Sequence, residues 1–176
     1  MLLVKKTNHL LDSSYYRNNE EKTYTVSPYL IKEFKNRWYV IGKTENRLRA
    51  FSIDRITDIT LLKSKIEHYM SIEDLHEKIE ETYGISFSNK AATSVKLRIC
   101  QSQKPFIKSI PIHPKQTIIE ENEDTFILKF LYAETLDLKQ EILKYGAWVE
   151  VLEPKELRNW FSDEVNKMFQ KYTKVI

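Results

Sequence analysis

One cysteine, three glycines and no long apolar run set the first limits on this 176-residue chain. Cys100 alone cannot build an internal disulfide framework or a Cys-based zinc cluster. The glycines stand far apart, at Gly42, Gly84 and Gly146. A P-loop or a dinucleotide fingerprint needs two or three glycines in one short loop, so both are excluded. No window approaches the roughly 18 consecutive apolar residues of a membrane helix. The first 16 residues lack the basic, apolar and small-residue regions of a secretory signal, so a cytoplasmic location is expected. There is no Gly-x-Ser-x-Gly elbow and no His-Glu-x-x-His. His68 and His76 would lie about 80° apart around a helix, a poor arrangement for a shared metal. His9 and His113 have no ligand spacing to either, so all four read as surface or structural histidines. Cys100 ends an alternating strand, and a buried structural thiol is the better reading than a nucleophile. No catalytic residue, metal ligand or cofactor is implied, and a non-enzymatic protein is expected.

What is present is an ordinary globular balance: 41% hydrophobic and 30% charged residues exclude a disordered chain. The length fits one medium domain or two small ones. The net charge of +3 is unevenly placed. Residues 1–62 carry 11 Lys/Arg against 7 Asp/Glu, and residues 63–176 carry 17 against 18. The basic excess in the first third points to an anionic partner there, or simply to a solvated basic surface.

The chain falls into three segments. Residues 1–62 read as short strands: 10–16, 24–30, 37–42, 48–53 and 56–62, separated by polar turns such as Lys35-Asn36. Such spacing, with almost no helix between, points to a small β-barrel. Residues 63–93 read as a helical connector. Ser71 is its expected N-cap, Ile72, Leu75, Ile79 and Tyr83 form its apolar face, and Gly84 stops it. Residues 94–176 read as β-α-β-β-α-β with a final helix, a ferredoxin-like sandwich. Its strands are expected at 95–100, 116–120, 125–132 and 147–152, and its helices at 102–110 and 136–145. The last helix begins at Pro154 and carries Leu157, Phe161, Val165 and Met168. The expected class is therefore α+β.

The first segment also holds Arg37-Trp38-Tyr39 and Arg49-Ala50-Phe51-Ser52-Ile53-Asp54-Arg55. Period-two geometry puts Arg49, Phe51, Ile53 and Arg55 on one side of a strand. Trp38 then reads as a barrel-core anchor, and Tyr39 as a groove residue on the opposite face. Arginine beside aromatic residues can fork onto phosphates and stack on bases. The plainer alternative is a surface lattice, with Asp54 pairing one arginine.

Three blocks, Val26-Ser27-Pro28-Tyr29-Leu30, Lys32 to Gly42 and Leu48 to Ile56, closely resemble the WYL domain. Its naming triplet stands here as Trp38-Tyr39-Val40. Val95-Lys96-Leu97-Arg98, Pro111 to Gln116 and Ile142 to Pro154 resemble the WCX extension that commonly follows it. The resemblance implies an Sm-like, SH3-type barrel and a regulatory role in bacterial transcription factors. It implies a ligand in the barrel groove, a nucleotide or single-stranded nucleic acid in some members. The family's basic groove residues map onto Arg49 and Arg55, with Tyr39 nearby, Arg37 next, and Tyr16 if residues 10–16 form the first strand. A homodimer is expected, and no membrane partner. Family regulators usually begin with a winged helix-turn-helix, which is not read here. Duplex DNA binding is thus expected only where a further N-terminal part supplies one, and Met1–His9 would be a remnant of the linker to it. The alternative is a dimerisation or scaffold module without ligand, with Trp148, Trp160 and Phe169 at its interface.

Overall fold

The computed structural model describes the backbone of residues 2–3, 9–17, 20–44, 47–65 and 71–173. Side chains are described from residue 22 onward within those ranges, apart from 64, 65 and 72. His68 lies outside them. The chain divides into two compact units, Met1–Asn89 and Lys90–Ile176. It is a mixed α/β protein, with two antiparallel sheets and four α-helices among the described residues.

The first sheet contains β1 (Leu2–Leu3), β2 (His9–Arg17), β3 (Glu20–Phe34), β4 (Arg37–Thr44), β5 (Arg47–Ser52) and β6 (Ile56–Lys65). Its strand order is β5-β4-β3-β2-β6, with β1 pairing β3. Among the described residues this is an open path, not a closed ring. Leu2 and Leu3, expected in a linker remnant, pair instead with Ile31 and Leu30.

β3 is the spine of the unit, and its 15 residues serve two partners in turn. Glu20 to Val26 pair with β2, and Ser27 to Phe34 pair with β4. The handover carries a register shift between Pro28 and Leu30. Proline has no N–H to give a ladder, so it is tolerated at such an irregularity. Gly42 stands opposite Pro28. A Cβ on Gly42 would overlap Val26 Cγ1 and lie 2.8 Å from the Ser27 carbonyl oxygen. The absent side chain is what lets β4 approach β3 here. The β3–β4 hairpin closes through Lys35 (φ 50°) and Asn36 (φ 61°). Two positive φ values in a two-residue loop are the type I′ geometry that matches strand twist.

Helix α1 (Ile72–Glu80) starts as expected, with the Ser71 hydroxyl accepting from the Asp74 N–H at 2.9 Å. It ends at Glu80, four residues before Gly84, so Gly84 is not its stop. The segment expected as a connector contributes to the first unit. Leu75 is buried in a cluster with Leu30, Ile41 and Leu48, and Ile79 packs against it.

Two further expectations change in the strands. Trp38 is not a core anchor: it is 45% exposed, at the end of β4 next to the hairpin turn and across from Glu33. The strand expected over 48–53 ends at Ser52, and Ile53–Arg55 form a 3₁₀ turn. The side-chain alternation therefore stops before Arg55.

The second unit contains β7 (Thr93–Cys100), α2 (Lys104–Ser109), β8 (Thr117–Glu121), β9 (Thr125–Tyr132), α3 (Leu136–Leu143), β10 (Val149–Glu153) and α4 (Lys155–Thr173). Its sheet order is β10-β7-β9-β8, antiparallel throughout. The alternation is clean. Val95, Leu97 and Ile99 of β7 and Phe126, Leu128 and Phe130 of β9 are buried, while Lys96, Arg98 and Lys129 lie on the other face. The helices bury Ile107, Leu138, Ile142 and Leu157. His113 is buried and stacks on Phe130 at 5.1 Å, with its Nδ1 accepting from the Lys115 N–H, a structural role. Cys100 is half-buried at the end of β7. Pro154 precedes α4 as its cap, its carbonyl accepting from the Arg158 N–H at 3.0 Å.

Two measurements test these contacts. Gly42→Ala forces Val26 and the Ser27 backbone apart and should cost about 1–3 kcal/mol, read by urea unfolding. Glu134 is held by the Lys139 and Lys90 ammoniums, which bring its pKa from 4.5 to about 2. A depressed carboxylate stabilises the fold above its unfolded value and loses that contribution as pH falls through the folded one. Acid unfolding between pH 4.5 and 2 should therefore be shallower in Glu134→Gln than in wild type.

Candidate ligand-binding site

The pairing register sorts the candidate residues onto two faces of the β4–β5 ribbon. Tyr39 stands opposite Ser52, and Ile41 opposite Ala50. These positions share the face that α1 covers, and Tyr39 is half-buried against the Leu30, Ile41, Leu48 and Leu75 cluster. Gly42 stands opposite Arg49, and Val40 opposite Phe51. These belong to the other face, with the Val26 and Phe51 cluster that Tyr24 and Ile56 flank. The structure thus does not bring Tyr39 and Arg49 together.

Arg49 has a different aromatic neighbour. Its guanidinium carbon lies 5.1 Å from the centre of the Tyr24 ring, within cation–π range. Tyr24 in turn contacts Phe51 at 5.4 Å between centroids, tilted by 58°. The Arg49 Nε is buried and has no hydrogen-bond partner among the described residues. A buried charged donor without an acceptor is costly, and a small movement of the Tyr24 ring or the guanidinium that opened it to an anionic acceptor would recover that cost. The sequence does not single out Tyr24. It meets Arg49 across the intervening strand β4, a pairing with no local signal.

Arg37 and Arg55 form a second, more exposed group around the 3₁₀ turn. Arg37 Nη1 lies 3.9 Å from Asp54 Oδ2, with both side chains more than half exposed. The Ser52 hydroxyl donates to Asp54 Oδ1. Asp54 therefore titrates below the usual carboxylate range. The Ser52 hydrogen bond is the main cause, and the charges of Arg37 and Arg55 add to it. Arg55 is exposed. An exposed ion pair of this kind contributes little to stability, so an incoming anion can take Arg37 from Asp54 at small cost. Tyr16 is placed in β2 opposite Glu21, and its side chain is outside the described residues. Among the described residues, no group of three or more His, Cys, Asp or Glu could hold a metal ion. No helix among them is long and apolar enough to cross a membrane.

The Asp54 assignment is checked by following its carboxyl titration by NMR. Ser52→Ala should raise the midpoint toward the ordinary value by more than Arg37→Ala does.

Residues 6–61 match the family model of the WYL domain, and residues 91–169 match that of the WCX domain. No curated protein matches the chain. Among solved structures, a CRISPR Cas-related protein is similar in fold, at TM-score 0.56 and 14% identity, over 95% of this chain and 48% of that one. Proteasome accessory factor B/C of Arthrobacter aurescens also aligns, at TM-score 0.40 and 14% identity, over 95% of this chain and 25% of that one. The chain thus spans about half of one neighbour and a quarter of the other. Matches to the two family models occur in order along the two compact units, and the chain carries a WYL domain in the first and a WCX domain in the second.

Proposed function

We propose that the chain is the ligand-sensing regulatory module of a WYL-type transcriptional regulator, acting without catalysis in the cytoplasm. In this reading the first unit is an Sm-like, SH3-type fold whose described strands form an open path and not a closed barrel. The strand order β10-β7-β9-β8, with helices between β7 and β8 and between β9 and β10, supports a ferredoxin-like sandwich for the second.

The effector is anionic, a nucleotide or single-stranded nucleic acid. The observation that carries this is Arg49: a guanidinium held over Tyr24, its buried Nε lacking an acceptor among the described residues. Such a group is fixed in direction before ligand arrives, which lowers the ordering cost of binding. A phosphate oxygen accepting from Arg49 would sit beside the Tyr24 ring. Arg55 and Arg37, at the turn several residues along the ribbon, would meet a more distant part of the ligand, with Asp54 released. Tyr39, behind the sheet, would act through packing, transmitting a shift of β4 to α1 rather than stacking on a base. Tyr16 is retained as a candidate on β2.

The scaffold reading keeps one observation in its favour. Arg37 already has a partner in Asp54, so part of the arginine set serves the protein itself.

Fluorescence anisotropy of labelled single-stranded DNA and RNA, at two salt concentrations, separates the two readings. Saturable binding should weaken with salt, and Arg49→Ala should lower the affinity and flatten the slope by about one phosphate contact. No binding of either oligomer, or affinity and slope unchanged in both Arg49→Ala and Arg55→Ala, would overturn the effector assignment.

A further inference from the structure

A groove of about 620 Å³ runs along α4 in the second unit, a volume within the usual range for a small-molecule site. Its floor is apolar. Ala147, Val149 and Val151 line it on one side, and Phe161, Val165 and Met168 of α4 line it on the other. α4 also gives the groove a polar border. Arg158, Ser162 and Asn166 follow one another at intervals of four, so they stand in a row about 12 Å long beside the apolar residues. The Ser162 and Asn166 side chains make no hydrogen bond among the described residues.

Arg158 and Glu150 are the charged members of the lining. Arg158 Nη1 donates to Glu150 Oε1 at 2.8 Å and to the Val151 carbonyl at 2.6 Å. Glu150 Oε2 accepts from Arg98 Nη1 at 2.5 Å. One carboxylate thus meets two guanidiniums, and this end of the groove keeps a net positive charge. Both Arg158 bonds use one nitrogen. Its Nε and Nη2 have no partner among the described residues, and together they form the fork that fits a carboxylate.

We propose that the groove binds a small monocarboxylic acid with an apolar body. The carboxylate sits on the Nε and Nη2 edge of Arg158, and the body lies along Phe161, Val165 and Met168. Charge complementarity selects this occupant. A neutral apolar molecule leaves the guanidinium edge without an acceptor. A nucleotide brings several charges to a site with one net positive charge and desolvates them against apolar walls. Ser162 and Asn166 are placed to bond a polar substituent on the body.

Decanoate is the probe, used below its micelle-forming concentration on the full chain. Calorimetry reads its affinity, and NMR follows the Ala147 and Met168 methyls. Decanoate should bind saturably and shift both methyls. Decanol, with the same chain and no charge, should bind roughly tenfold more weakly, and decyltrimethylammonium more weakly still. Arg158→Lys keeps the charge and loses the fork. It should weaken decanoate about tenfold and leave decanol unchanged, a split that partial unfolding does not produce. Ala147→Phe, at an exposed position, should fill the groove and abolish binding of both. The proposal is overturned by no saturable binding, by shifts confined to other residues, or by equal affinity for all three probes. It is also overturned if Arg158→Lys holds decanoate as wild type does, or if the chain self-associates through this groove and excludes decanoate. The groove shares no residue with the arginines of the first unit, so its failure leaves the effector reading standing.

Discussion

The first unit depends on a steric fit between two strands. β3 is long enough to serve β2 with its first half and β4 with its second, and the exchange happens where Val26 and Ser27 pass under Gly42. Any side chain at 42 would occupy the space of Val26 Cγ1. β4, seated by this close approach, carries β5 beside it in register: Gly42 opposite Arg49, Val40 opposite Phe51, Tyr39 opposite Ser52. Arg49 thereby reaches Tyr24, which belongs to the first half of the same β3. The candidate site is thus built from both sides of the handover. Tyr24, Arg37 and Arg49 are positioned by backbone pairing, which holds them more rigidly than a loop would, while Arg55 sits in the 3₁₀ turn.

The three arginines differ in kind. Arg49 is half-buried, rests on a ring, and has an inner donor without an acceptor among the described residues. Arg37 and Arg55 stand in solvent around a carboxylate that a serine hydroxyl already orients. Charge in solvent is screened within about 8–10 Å at ordinary ionic strength, so the outer pair attracts an anion but discriminates little. The inner guanidinium, resting on Tyr24, supplies direction. On the proposed reading, ligand would gather at the exposed arginines and be oriented by Arg49.

Much of this is legible in the sequence, and the losses have identifiable causes. Strand existence in the first unit is written in β-branched and aromatic runs. Ser71 marks the start of α1 because a hydroxyl before an acidic first turn has few other uses. The alternation in β7 and β9 names the buried face of the second sheet residue by residue. The failures come where a local rule is extended past its element. Period two, continued through Ile53, sets Arg55 beside Arg49, but the chain turns after Ser52 and the rule ends there. The size of Trp38 argues for the core, yet its place beside the hairpin turn leaves it half in water. Gly84 has the chemistry of a helix stop, although α1 has already ended at Glu80. Tyr24 and Arg49 meet across two strand pairings, and no window of sequence contains that contact.

The final helix shows how far a pattern can outrun its own unit. The N-terminal turns of α4 are anchored by Leu157, by Arg158 bonding Glu150 and the Val151 carbonyl, and by Lys139 lying over Trp160. Beyond Glu164 no described residue of α4 is buried. Isolated helices shorter than about 12–15 residues are marginal in water, so nine exposed residues gain little from propensity alone. Val165, Met168 and Tyr172 nevertheless follow Phe161 at intervals of four, three and four, and Phe161, Val165 and Met168 line a groove against Ala147, Val149 and Val151. A solvated helix end has no use for either feature.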